Sequence, residues 1–455
     1  MKLYDLKNNF NQPVYEKLER LVHWIEQEET HRNKDNYKNI HEHINDYLTF
    51  DVLVDEHDIV GFSTTHNDGR YPSESARVAT RTYYHPMFRN IANHLKRPSY
   101  AELYFIPYQV EFQPPPKSIR NICWLKCSYC YGASADDSNG DRMSKDLAIN
   151  TLNEIADGGI KKVIFAGYAT DPLNCPYLED LLEIAIDRKL IFGFNTKALK
   201  ISKRFLELLS RNDIQSGSYI SLSVDAGSNK TYNAFHNVKS ISNLYDRVLQ
   251  NTKNISAIRK KNNNKFDVSA TYLINEQNSK IGDVSSFIKD FKDANCNLIR
   301  FTFPQKPRET KLPEGIIPSS RQVSKFKKKL TPLIRQKSTS KCKIIIIDAY
   351  SDNRIIDNAR TSPCFARWLY PTVGYDGWLY HCSQSSSPNF RSFALGDLKT
   401  TSFWDLFYNY NSSKFKKYMR DCNNKMTKSG CRCDRKMHVA NLGVIKSHVF
   451  ESEIE

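Results

Sequence analysis

The chain has 455 residues, 40% of them hydrophobic and 25% charged, with a formal net charge of +16. That balance belongs to a soluble globular protein with room for two or three domains, and it excludes a disordered or fibrous chain. Residues 1–17 are polar with no apolar h-region, and the longest apolar runs, such as 344–347, fall far short of a membrane span. The protein is therefore expected to be cytoplasmic, and its eleven cysteines then point to metal binding or catalysis, because a reducing compartment keeps thiols out of disulfides.

Residues 1–110 read as an α+β extension. Runs at 50–54 and 59–64 suggest a hairpin, 78–84 a strand and 87–95 a helix. From 115 to 305, short β-branched or apolar runs alternate with helix-period segments, which is the pattern of repeated βα units around a parallel sheet. A strand is expected at 118–122, leading straight into a cysteine-bearing loop. A helix should start near Ser144, carry Leu147, Leu152 and Ile155 on one face, and stop at Gly158-Gly159.

Further strands are expected at 162–167, 190–194, 219–224, 267–274 and 298–303, separated by helices. Those helices carry Leu178, Leu181, Leu182 and Ala185; Phe205, Leu208 and Leu209; Leu244, Val248 and Leu249; and Val284, Phe287, Ile288 and Phe291. Periodicity permits either a partial (β/α)6 barrel or an open doubly wound sheet. Both put the ligand site at the carboxyl ends of the strands. Residues 306–340 read as a linker, Pro-rich at first. The dense basic cluster Lys325, Lys327, Lys328, Lys329, Arg335, Lys337, Lys341 and Lys343 begins within it. Such charge suits a nucleic acid, an acidic peptide or a phosphorylated substrate, but scattered lysines elsewhere favour a solvated surface.

The most informative motif is the C-x3-C-x2-C run of Cys123, Cys127 and Cys130. Three thiolates hold three irons of a cubane cluster and leave one iron open to an outside ligand. Zinc sites usually draw on two close cysteine pairs, and no second pair follows within about 20 residues.

This run resembles the radical S-adenosylmethionine superfamily. The resemblance implies a partial (β/α)6 barrel and a [4Fe–4S] cluster whose open iron chelates S-adenosylmethionine. One electron then releases a 5'-deoxyadenosyl radical that takes a hydrogen atom from substrate. It also implies a flavodoxin- or ferredoxin-type electron donor. Tyr129 occupies the aromatic position near the adenine.

Residues 169–172, with Thr170 and Asp171, resemble the family's Gly-Gly-Glu-Pro segment that holds the amino group of S-adenosylmethionine, although Asp171 also suits a helix start. The run 195–197 looks like a shifted form of the family's Thr-Asn-Gly. Ser223 and Asp225 after the fourth strand, Asn275 after the fifth and Arg300 in the sixth lie where relatives line the cofactor pocket.

In the last third, Cys364, residues 376–382 ending in His381-Cys382, and 394–398 resemble the SPASM/twitch extension of this superfamily, spanning 341–455. An auxiliary iron–sulfur cluster is implied there, with ligands from Cys364, Cys382, Cys431 and Cys433 and Cys422 as a further candidate. A structural zinc ribbon is the alternative. Cys175, Cys296 and Cys342 read as ordinary buried residues, and His381 as packed. The substrate implied is a peptide or protein side chain; a small molecule such as an amino sugar or nucleoside is the alternative. A metal-binding protein that holds nucleic acid is the reading outside enzymes.

Overall fold

The computed structural model describes residues 106, 107, 109–117, 123, 125–127, 129, 130, 141–168, 170–261, 263, 266–304, 315–346, 370–386, 390, 391 and 394–407. The readings made for 50–95, for the strand 118–122 and for Cys364, Cys422, Cys431 and Cys433 lie outside these residues.

The chain enters the sheet at β1 (Gln109–Phe112) and then forms α1 (Lys145–Asp157), β2 (Lys162–Phe165), α2 (Leu178–Asp187), β3 (Ile191–Thr196) and α3 (Lys203–Leu209). Next come β4 (Ser218–Ser223), α4 (Asn229–Phe235), α5 (Leu244–Lys261), β5 (Phe266–Leu273), α6 (Ile281–Asp293) and β6 (Leu298–Thr302). Last are α7 (Ser320–Lys337), β7 (Lys343–Ile346), β8 (Thr372–Val373), β9 (Trp378–Tyr380), β10 (Gly396–Asp397) and α8 (Phe403–Phe407).

Local chemistry sets several helix starts. The side chains of Ser144, Ser202 and Ser228 each accept a hydrogen bond from a backbone N–H in the first turn of α1, α3 and α4. Ser319 and Gln322 form a full capping box at α7. At its other end α1 stops at Gly158, followed by Gly159 at φ +95. That left-handed conformation suits glycine.

All ten strands lie in one sheet, in the order β10-β9-β8-β1-β2-β3-β4-β5-β6-β7. Pairing is parallel from β8 through β7 and antiparallel only at β8–β9 and β9–β10. From β1 to β7 the order in space follows the order in sequence with no reversal. A doubly wound sheet must reverse at its switch point, so the winding is that of an open partial barrel.

The register separates two faces. One carries Val163, Phe192 and Ile220, Phe165 and Phe194, and Val268, Ile299 and Phe301, all buried. Here Phe165 stacks on Phe194 at 4.9 Å, and Phe194 meets Phe205 of α3 edge-on at 5.3 Å. The opposite face carries Glu111, Tyr219, Asn195, Ser221, Ser269, Ser223, Thr271 and Arg300 in register. Leu298 and Ile345, on that same face, form a small apolar cluster of their own. The helices thus cover an apolar face, and the barrel encloses a polar one.

Three elements go beyond the sequence reading. The strand that pairs with β2 is β1, upstream of 118–122. Its Gln109 and Glu111 point to the polar face, so it has no apolar run to reveal it. The short helix α4 goes unmarked by periodicity. Within the span expected as a linker, α7 forms an 18-residue helix, because Val323, Phe326 and Leu330 recur at i, i+3 and i+7 and become buried. β7 then extends the same sheet. Among the described residues no helix is long and apolar enough to cross a membrane.

Candidate active site

The carboxyl ends of β2 to β5 meet through Asp171, Lys197, Asp225 and Leu273, and the cysteine loop joins them at Tyr129. Cys123, Cys127 and Cys130 are all half-buried. The Cys130 N–H donates to the Cys127 carbonyl at 3.1 Å, and the Lys126 N–H donates to the His236 carbonyl at 3.1 Å. The loop is therefore tied to the end of α4.

Burial pushes the Cys127 thiol up to about 12, with Lys197 opposing and the neighbouring thiols Cys130 and Cys123 adding to the rise. Burial also raises Cys123, which feels Cys130 in turn. The three sulfurs are thus electrostatic neighbours, and Cys123 and Cys127 keep their protons at neutral pH until a metal displaces them. Among the described residues no group of three His, Cys, Asp or Glu side chains converges on a single ion. Three cysteine sulfurs of one short loop, each within electrostatic reach of another, are a donor set that fits a cubane with each thiolate on a different iron.

His236 lies against this loop. Its Nδ1 is 3.1 Å from Cys127 Sγ and its Nε2 is 3.2 Å from the Val224 carbonyl. A carbonyl only accepts, so Nε2 carries the hydrogen and Nδ1 receives the Cys127 thiol. Burial, reinforced by Lys197, holds His236 down to about 3, so the ring is neutral.

Beside it, Lys197 Nζ donates to Asp225 Oδ2 at 2.8 Å and to the Tyr129 hydroxyl at 2.6 Å, while Tyr129 donates to the same carboxylate oxygen at 2.7 Å. The ammonium also lies 5.4 Å from the Tyr129 ring centroid. Burial alone would raise the Asp225 carboxyl, but Lys197 and these hydrogen bonds outweigh it and hold it below its usual range. The backbone of Asp225 sits at φ +62, where few non-glycine residues rest. Leu273 N–H donates to its Oδ1 at 2.8 Å and Asn278 Nδ2 to its carbonyl at 2.9 Å, which fixes this turn after β4.

Asp171 is an internal brace. Its Oδ1 accepts from the Leu173 N–H at 2.9 Å and the Thr196 hydroxyl at 2.7 Å, and its Oδ2 from the Lys197 N–H at 2.5 Å. Burial raises its carboxyl, and these bonds, led by Lys197, oppose that. Thr170 accepts from Asn174 Nδ2 at 2.9 Å. The turn needs Gly167, since a Cβ there would lie 1.4 Å from the Thr170 carbonyl oxygen.

Ser223 ends β4 on the polar face, half-buried, and Arg300 donates through Nε and Nη2 to Thr271 Oγ1 at 3.3 and 3.1 Å. Asn275 is fully buried, and its Nδ2 has no hydrogen-bond partner.

Cys382 is buried just after β9. Its turn is anchored to the barrel where Gln113 Nε2, one residue past β1, donates to Ser386 Oγ at 2.7 Å and to Glu111 at 2.9 Å. Cys175, Cys296, Cys342 and His381 are buried.

The structure therefore joins Tyr129 and Asp225 to Cys127 through Lys197 and His236, neither of which the sequence marked. Lys197 stood inside a quoted run, and only its pairing across strands gives it weight. His236 caps the end of α4, a helix without a motif.

Residues 118–280 match the Radical SAM superfamily model. The fold is similar to Streptococcus suis SuiB bound to S-adenosylmethionine, at 15% identity and a TM-score of 0.51, over 70% of this chain and 70% of that one. It is likewise similar to Streptococcus suis SuiB bound to precursor peptide SuiA, at 14% identity and a TM-score of 0.51, over 82% of this chain and 76% of that one. No curated protein matches the chain. With the three-cysteine loop at the mouth of an open parallel barrel, the chain carries, over residues 118–280, a domain of the radical SAM superfamily.

Proposed function

We propose that the protein is a radical S-adenosylmethionine enzyme that abstracts a hydrogen atom from a peptide or protein side chain, with Cys123, Cys127 and Cys130 as ligands of a catalytic [4Fe–4S] cluster. What supports this most is three mutually interacting thiols at the strand ends, above a polar barrel face. When bound, the cluster and S-adenosylmethionine supply the electron and the 5'-deoxyadenosyl radical; the protein orients and shields them.

The chain's own contribution is positional. His236 holds the Cys127 thiol until the metal takes its proton and then packs neutral against the sulfur, and the Lys197–Asp225–Tyr129 cluster holds the loop against the ends of β3 and β4. Asp171 braces the turn after β2 to the end of β3. Ser223, Asn275 and Arg300 offer polar groups on the enclosed face. Asn275 Nδ2, buried and unpartnered, is a donor ready for a cofactor oxygen, since such a group is costly to leave unmet. Cys382, with Cys364, Cys422, Cys431 and Cys433, is proposed to serve an auxiliary cluster.

The peptide reading is supported by the shared fold of a protein solved with a precursor peptide. Anaerobic incubation of iron-loaded protein with S-adenosylmethionine and dithionite tests the reaction class. Release of 5'-deoxyadenosine is expected, and its absence from protein with an intact cluster would refute the assignment.

A further inference from the structure

The basic cluster takes no part in the reaction proposed above. α7 contains no acidic residue along its 18 positions. With Val323, Phe326 and Leu330 turned inward, Arg321, Lys325, Lys328 and Arg335 are exposed at the i, i+4, i+7 and i+14 spacing of one helical stripe. Among the described residues none of these four makes an ion pair. Among the described residues the carboxylate that reaches α7 is Glu276, which takes a hydrogen bond from Gln322 beside Arg321, and the rest of a stripe about 21 Å long, at 1.5 Å per residue, carries no ion pair.

A second observation lies at the seam with α6. Ile281, the first residue of α6, is 45% exposed. Next to it a shallow apolar depression is lined by Ile274, Val284, Phe326 and Leu330, together with Lys329. An uncovered aliphatic side chain beside Lys329, on a helix pair whose outer stripe is cationic, is the make-up of a recognition surface with an apolar spot and a charged rim.

We propose that this α6–α7 face docks an acidic polypeptide, whose carboxylates meet the cationic stripe and whose apolar side chains cover Ile281. A nucleic acid fits less well. Single-strand binders add exposed aromatic rings on which bases stack, whereas Phe326, the only aromatic residue of α7, is turned inward and packs on Phe303 at 6.5 Å. A phosphate backbone has no use for Ile281, but a polypeptide does.

Fluorescence anisotropy on the full chain tests this, with a labelled peptide of Glu-Glu-Leu repeats, an oligoglutamate of the same length, and oligothymidine as probes. No S-adenosylmethionine is added, so the outcome does not depend on the reaction. The Glu-Glu-Leu peptide should bind saturably. The set Lys325→Glu, Lys328→Glu and Arg335→Glu should weaken it at least about tenfold by loss of electrostatic complementarity. The milder set Lys325→Gln, Lys328→Gln and Arg335→Gln should weaken it by a smaller factor, and Ile281→Asp should weaken it while oligoglutamate binding stays the same. Melting temperature should not move in any variant. Failure of the wild-type protein to bind the peptide, or equal binding by the glutamine set, overturns the proposal. So does oligothymidine binding more tightly than the peptide and being lost in the same variants, which would make this a nucleic-acid surface.

Discussion

Lys197 and Asp225 form a buried ion pair, with side chains 13% and 2% exposed, and their removal should reveal how much the site depends on each charge. Lys197→Met strands a carboxylate among Tyr129, Leu273 and Asn278. We expect a loss of about 3–5 kcal/mol in urea unfolding, with the double variant Lys197→Met, Asp225→Asn recovering part of it. A double-variant loss equal to the sum of the two single losses would show that the pair is not coupled.

His236 makes a signed prediction for the metal-free protein. Its folded-state value lies near 3, below the ordinary value of about 6.5, so the unfolded chain binds the extra proton. Stability should fall as pH drops from about 6.5 towards about 3, and His236→Phe should flatten that slope. None of this was legible beforehand. The cysteine spacing announced its own chemistry because sulfur ligands come in short spacings, whereas the contacts of Lys197 and His236 cross 28 and 109 positions of chain and exist only once the strands align.

The elements were more legible than their contacts. α1, α2, α3 and α6 repeat buried residues at helical spacing, and β2 to β6 are β-branched or aromatic on their helix-facing side. β1 escaped notice because its enclosed side is polar, and α7 because its lysines mask three well-spaced apolar residues. The packing makes two expectations at this scale. Phe194, fully buried between Phe165 and Phe205, should cost about 3–5 kcal/mol when changed to alanine, read in denaturant melts. Gly167→Ala drives a methyl group into the Thr170 carbonyl. It should abolish 5'-deoxyadenosine formation while the far-ultraviolet circular dichroism stays that of the parent, and retained activity would mean that the turn can open.

For the molecule as a whole, the sheet unites the barrel with the hairpin that carries Cys382. Met143 N–H donates to the Tyr375 carbonyl at 2.8 Å, Trp404 Nε1 to the Glu154 carbonyl at 2.7 Å, and Arg391 bridges Asp376 and Asp141. An auxiliary cluster at Cys382 would therefore be joined to the catalytic region through fixed structure. Iron analysis should give about eight irons per chain for two cubanes, falling to about four in Cys364→Ala, Cys382→Ala protein.

That doubly substituted protein isolates the central claim, that Cys123, Cys127 and Cys130 hold a cubane with one iron open to S-adenosylmethionine. Its reduced electron paramagnetic resonance spectrum should show a single iron–sulfur signal that shifts when S-adenosylmethionine is added and disappears with Cys127→Ala. A signal indifferent to S-adenosylmethionine, or one that survives the loss of Cys127, would contradict it.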